Sequence, residues 1–152
     1  MAEHSFSVRP ATEADLDAVV PLFDAYRRFF TKRPELDVSR AFLQERLQRG
    51  ESVVIAAFDG STAAGFLQLY PLFSSWYCQR QWFLSDLYVD EAFRKRGAGA
   101  ELVRACLAYA EQTQARAVLV ELPISEPHLV RFYGALGFQK DELFDLYRAV
   151  CR

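Results

Sequence analysis

The run Asp90-Glu91-Ala92-Phe93-Arg94-Lys95-Arg96-Gly97-Ala98-Gly99-Ala100 holds the residues best suited to grip an anion. Three consecutive cations precede two glycines. A periodic apolar pattern, Leu102, Val103, Cys106, Leu107 and Ala110, starts directly after them. That spacing predicts a helix whose first turn coincides with the glycines. The first amides of a helix lack intrahelical acceptors, and its dipole adds partial positive charge, so phosphate fits there. Gly97 and Gly99 carry no Cβ, which lets a ligand approach the main chain and permits positive φ. A nucleotide-hydrolase phosphate loop requires Gly-Lys-Ser/Thr where Gly97-Ala98-Gly99-Ala100 stands. The dinucleotide fingerprint requires a small residue at Leu102 and an early position in the chain, and neither condition is met.

The elements that position this turn follow from local patterns. A β-prone run over residues 82–89 leads straight into it as a buried strand. Upstream, residues 6–9 alternate as a first strand ended by Pro10. Thr12 and Asp15 form a near capping box for a helix carrying Leu16, Val19, Val20, Phe23, Tyr26 and Phe30. Pro21 inside this pattern predicts a kink or two consecutive helices. A second helix is expected over residues 38–49, capped by Asp37 or Ser39, with Phe42, Leu43 and Leu47 inward and Gly50 closing it. Residues 53–58 and 63–70 flank Asp59-Gly60, the pattern of an antiparallel hairpin that Pro71 ends. Downstream, residues 117–122 read as a buried strand. A last helix carries Leu129, Phe132, Tyr133 and Leu136 and stops at Gly137. Short strands are expected from Phe138 onward and over residues 143–150.

The chain has 152 residues, 51% hydrophobic and 25% charged, with a formal charge of −2. This suits one globular domain over residues 1–152 and opposes a general nucleic-acid binder, which needs a broad basic face. Cys78, Cys106 and Cys151 are odd in number and widely spaced, with only His4 and His128 to join them. They read as free thiols in a reducing compartment, with no metal site. No apolar run approaches the ~20 residues that span a bilayer. The N-terminus, with Glu3, does not read as a signal peptide. A cytoplasmic protein is expected.

Arg94-Lys95-Arg96-Gly97-Ala98-Gly99 resembles the Arg-x-x-Gly-x-Gly/Ala pyrophosphate loop of the GNAT superfamily of N-acetyltransferases. The segment Glu126-Pro127-His128-Leu129-Val130-Arg131-Phe132-Tyr133-Gly134-Ala135-Leu136-Gly137-Phe138 is similar to the Asn-x-x-Ala-x-x-Phe-Tyr-x-x-x-Gly-Phe segment of that family. Both stand in the family's order, separated by a helix and a strand. The strand Asp86-Leu87-Tyr88-Val89, after the segment Phe73-Ser74-Ser75, looks most like the diamine, polyamine-type and histone-type amine acetyltransferases.

The resemblance implies an α/β GNAT fold: a mixed, mostly antiparallel sheet of six to seven strands, splayed at the centre, with about four helices. It also implies acetyl-CoA as cofactor. Leu87, Tyr88 and Val89 would hold its pantetheine arm, and Arg94, Lys95, Arg96, Gly97, Ala98, Gly99 and Ala100 its pyrophosphate, with Glu126 and Leu129 alongside. Glu126 replaces the family's Asn. The amide of Leu87 would polarise the acetyl carbonyl. A primary amine of pKa ~10.4 must lose a proton before attack, which costs ~4.6 kcal/mol at pH 7. Asp86, Glu121 or a water chain would take that proton, and Ser85 stands where many relatives carry Asn or Glu. Tyr133 matches the general acid that protonates the departing thiolate. Tyr26, Phe30, Tyr70, Phe73 and Trp82 would line the acceptor cleft, where aromatic faces hold a cation or an apolar amine body. The acceptor is expected to be a small amine, polyamine or amino acid. A protein or peptide amine, or a non-catalytic acyl-CoA sensor, is the alternative. Relatives pair through their terminal strands, so a homodimer is expected.

Overall fold

The structure, a computed structural model, describes residues 5–151; Glu3 and His4 lie outside the described residues. The chain divides into two compact units, Met1–Glu121 and Leu122–Arg152.

The first unit is a five-stranded mixed sheet with helices on both faces. Its strands β1 (Ser7–Pro10), β2 (Val53–Asp59), β3 (Thr62–Ser74), β4 (Gln79–Val89) and β5 (Val118–Val120) lie in sequence order. All pairs are antiparallel except β4 and β5, which run parallel. The helices are α1 (Leu16–Thr31), α2 (Leu36–Gln48) and α3 (Ala98–Gln112). Alternate residues of a strand point to opposite faces. Phe66 of β3 accordingly packs edge-on to Phe23 of α1, with ring centroids 6.0 Å apart, while its neighbour Gly65 faces Leu102 of α3. Val19, Val20, Phe23, Leu43, Val54, Ala56 and Phe66 form the core beneath α1 and α2. Each of the Val, Leu and Phe side chains among them contributes roughly 1.5–3 kcal/mol.

Local signals explain most boundaries. The Asp15 carboxylate accepts from the Thr12 N–H at 2.9 Å and opens the first helical region through a short 3-10 turn, Glu13–Asp15. Pro21 does not divide α1 into two helices; Leu16–Thr31 is one helix with Pro21 inside it. Pro21 lies on the exposed side, so the one missing ladder bond faces water and burial of the opposite stripe outweighs it. α2 starts before the expected position. Neither Asp37 nor Ser39 caps it: Ser39 is buried and donates to Asp24 of α1 at 2.8 Å. Asp24 also accepts the Glu35 N–H at 3.0 Å, which ties the start of α2 to α1. Phe42, expected inward, is 38% exposed and stacks on Phe23.

The turn at Asp59-Gly60 joins β2 and β3 as expected, with Gly60 at φ +61°. Pro71 does not end β3, which continues to Ser74 paired with β4. β2 reaches only as far as Leu69, so Pro71 sits on a two-stranded extension with one open edge, where proline is tolerated. β5 is shorter and less buried than expected, with Leu119 40% exposed.

The second unit holds α4 (His128–Ala135), followed by Gly137 at φ +97°. The strands expected from Phe138 onward are absent among the described residues, so the sheet has five strands rather than six to seven. The Asp141 carboxylate accepts from the N–H groups of Leu143 and Phe144 at 2.7 and 3.0 Å, a local turn that competes with an extended strand. No described helix is long and apolar enough to cross a membrane.

Candidate active site

Two features of β4 build the site in the first unit. The first is a register shift. Gln68 stands opposite Asp86, but Leu69 stands opposite Leu84, so Ser85 is an extra residue on β4. Such a bulge resets the alternation of side chains. Trp82 therefore faces α3: its indole N–H donates to Thr113 Oγ1 at 2.9 Å and its ring lies 5.4 Å from Tyr109. Asp86, beyond the bulge, faces α1. Trp82 is 4% exposed and is not brought to Tyr26, which corrects its place in the expected acceptor wall.

The second feature is the early end of β5. Its last pair is Leu84 with Val120. Further along β4, the Asp90 N–H donates to Ala64 O at 2.8 Å, so Tyr88 and Asp90 turn their main-chain groups to β3. Leu87 and Val89 turn theirs the other way, where β5 no longer runs. The Val89 carbonyl is taken by Arg94 Nε at 2.9 Å. No β5 residue stands opposite Leu87.

β4 leads through a 3-10 turn, Glu91–Phe93, into the glycine corner. Lys95 and Gly97 adopt φ +62° and +83°, and α3 begins at Ala98. The first helical bond here is from the Glu101 N–H to Gly97 O at 3.0 Å. Among the described residues, the amides of Lys95, Arg96, Gly97, Ala98, Gly99 and Ala100 make no hydrogen bond, so the corner presents a run of donors at a helix N-terminus. The three cations are not equivalent. Arg94 spans back to Val89 O and stacks over Tyr88, 5.5 Å from its centroid. Arg96 is half-buried between Phe6 and Phe93 and lies 3.7 Å from Asp59. Both side chains brace the turn against the sheet; Arg94 and Lys95 are exposed and Arg96 is half-buried.

On the α1 face, Asp86 is 5% exposed. It accepts from Gln68 Nε2 at 2.5 Å and from Ser85 Oγ at 2.8 Å, and the Tyr26 hydroxyl donates to Ser85 O at 3.3 Å. Burial pushes the Asp86 carboxyl above the ordinary carboxylate range, while hydrogen bonds from Gln68, Ser85 and Tyr26 pull it back. The Tyr70 hydroxyl is pushed up to about 12, by burial first and then by the Asp86 charge, with Arg46 of α2 opposing. A carboxylate raised in this way is a stronger proton acceptor than a solvated one. Tyr26 leads outward to Phe30 and Phe29, with ring centroids 5.4 and 5.2 Å apart along the chain of rings. Phe30 is largely exposed, whereas Phe73, 74% exposed, stacks under Arg80 together with Trp82 and so lies on the other side of the β3–β4 ribbon, outside the expected acceptor wall. Glu121, expected near the end of a buried strand, is exposed. Burial pushes the Cys106 thiol up to about 12, which makes it inert.

In the second unit, Tyr133 is 4% exposed and packs edge-on to Phe132 and Phe138, at 5.0 and 5.2 Å. The Phe138 N–H donates to Tyr133 O at 3.1 Å. The Gly137 turn thus folds the motif back on its own tyrosine. Glu126 lies 3.3 Å from His128 Nδ1, and Leu129 is half-buried.

Two residues went unnoticed in the sequence. Gln68 sits in an apolar run, and an isolated Gln among Phe66, Leu67 and Leu69 was the available signal. Gly65 is required because a Cβ there would lie 2.9 Å from Tyr88 O.

Residues 19–138 match the model of the acetyltransferase (GNAT) family. An uncharacterized N-acetyltransferase of Bacillus subtilis (strain 168), YhfO, is 35% identical over 141 residues, 93% of this chain and 95% of its own length. A solved crystal structure of a probable acetyltransferase superposes with a TM-score of 0.91 at 33% identity, covering 96% of this chain and 98% of the other. The aminoglycoside N-acetyltransferase AAC(6')-Iy, solved in complex with CoA, shares the fold at a TM-score of 0.77 and 22% identity, with 96% and 95% covered.

Proposed function

The chain belongs to the GNAT family of acetyltransferases, and from that premise we propose that it transfers the acetyl group of acetyl-CoA to a primary amine by direct attack in a ternary complex. The observation that carries this reading is the run of six unbonded amides over residues 95–100, at the N-terminus of α3. Those amides suit a pyrophosphate, and the helix dipole adds ~0.3–1 kcal/mol per nearby anion. Arg94 and Arg96 hold the corner in shape, and Lys95 adds charge. Acetyl-CoA supplies a thioester carbonyl already activated for attack. The Leu87 amide donates to that carbonyl oxygen as negative charge develops on it, and Tyr88 and Val89 extend the same strand edge. Glu126 and Leu129 belong to the cofactor set by motif alone.

Asp86 takes the ammonium proton. Its burial raises its affinity for that proton, whereas the exposed position of Glu121 makes it a weaker choice. Tyr133 protonates the departing thiolate. The acceptor is a small amine of the diamine, polyamine or amino-acid kind, its cation held near Tyr26, Tyr70 and Asp86 and its body against Phe30. The protein works in the cytoplasm with its three cysteines free. It is a homodimer, which would cover the exposed Leu143, Phe144, Leu146, Tyr147 and Val150.

The test is incubation with acetyl-CoA and a panel of small amines and peptides while free thiol is followed. Turnover on a small amine is expected. Turnover on peptides alone moves the acceptor class, and tight coenzyme A binding with no turnover on any amine overturns the transfer reading in favour of an acyl-CoA sensor. A monomer in sedimentation overturns the dimer.

A further inference from the structure

We propose that Gln68 is a positioning residue for the acetyl transfer: its side-chain amide holds the Asp86 carboxylate in place and in its proton-accepting form. This inference rests on the reading of Asp86 as the proton acceptor. Gln68 is fully buried in the middle of β3, between Leu67 and Leu69, which are buried as completely. It stands directly opposite Asp86 in register, at the step where the bulge begins. Its Nε2 donates to Asp86 Oδ2 at 2.5 Å, yet its Oε1 is buried without a hydrogen-bond partner. A sealed, orphaned acceptor is a cost that packing does not explain, since Leu or Met would fill the same space without it. The amide therefore occupies this site for its donor end. A donor aimed at a carboxylate favours the charged form.

Burial alone drives Asp86 the other way, towards a carboxyl that is protonated and unable to accept. The ionisable groups around Asp86 are Tyr26 from α1, Tyr70 from β3, Tyr88 from β4 and, acting through Tyr70, Arg46 from α2. Of the side chains that hydrogen-bond the carboxylate, Gln68 acts most strongly, ahead of Ser85 and Tyr26. Ser85 holds the other oxygen.

The test is carbon-13 NMR of the full chain labelled at aspartate carboxyls, with Asp86→Asn assigning the resonance. In Gln68→Met, which keeps length and volume but has no donor, the Asp86 midpoint is expected to move up by about one pH unit, the size of one charge-assisted hydrogen bond. The acidic limb of kcat/KM moves with it, while KM for acetyl-CoA stays unchanged. A midpoint equal to wild type overturns the inference, as does a limb that stays put while only the melting temperature falls. If Gln68→Met does not fold, Gln68→Asn, one methylene too short to reach, carries the same comparison. Wild-type turnover in Asp86→Asn sinks the proton-acceptor reading instead, and the NMR midpoint still decides whether Gln68 controls the carboxyl.

Discussion

Trp82 and Asp86 lie four residues apart on one strand and point to opposite faces of the sheet, because Ser85 is an extra residue between them. An unbroken strand would place both on one side. The bulge puts the indole under α3 and delivers the carboxylate to the α1 face, beside Tyr26 and Gln68. It also falls just past the last pair between β4 and β5, so the carboxylate and the exposed strand edge lie side by side on β4.

Asp86→Asn is expected to lower kcat about 10²–10⁴-fold, the usual contribution of a general base, with little change in coenzyme A affinity. Stability moves the opposite way. Burial raises the folded-state pKa of Asp86 above its unfolded value, so folded chains bind this proton more tightly and stability falls as pH rises through the interval between the two. The variant lacks that term and its amide can donate to the orphaned Gln68 Oε1. It should unfold at higher urea than wild type at pH 7, with the gap closing below the ordinary carboxylate range. Urea midpoints at several pH values check this.

Gly99→Val should weaken coenzyme A binding about 100-fold or more, because a branched side chain in the first turn of α3 crowds the unbonded amides and costs several hydrogen bonds at once. Helix content should not suffer, since glycine is the poorer helix former. Isothermal titration decides it, and unaltered affinity places the diphosphate elsewhere.

Tyr133→Phe keeps the ring that packs on Phe132 and Phe138 and removes the hydroxyl alone. Turnover should fall with affinity for acetyl-CoA unchanged. A variant with the wild-type rate of thiol release takes the acid role from Tyr133.

Gly65→Ala should destabilise the fold by about 1–3 kcal/mol, as overpacking does. The new Cβ meets Tyr88 O at 2.9 Å and side-chain atoms of Leu102 and Val89 at 3.2 Å, so sheet and α3 cannot both keep their places. The urea midpoint reads it directly.

Local patterns located the main parts. The glycine corner, the capping residues Thr12 and Asp15, the Asp59-Gly60 turn and the Phe-Tyr motif closed by Gly137 each depend on neighbours within a few residues. Errors came where a distant partner decided. Pro71 stays in a strand because β2 has already ended, Ser39 is withdrawn from capping by Asp24, and Glu121 is exposed because β5 is short.

The sequence alone determined that a strand meets a helix at a glycine-rich, cationic corner, because turn chemistry and apolar periodicity are written in consecutive residues. Only the tertiary structure decided which face Asp86 occupies, that Gln68 donates to it, and that Arg94 and Arg96 brace the corner. Those outcomes depend on strand register and on contacts between residues far apart in the chain, and side-chain alternation cannot announce the extra residue that reverses it.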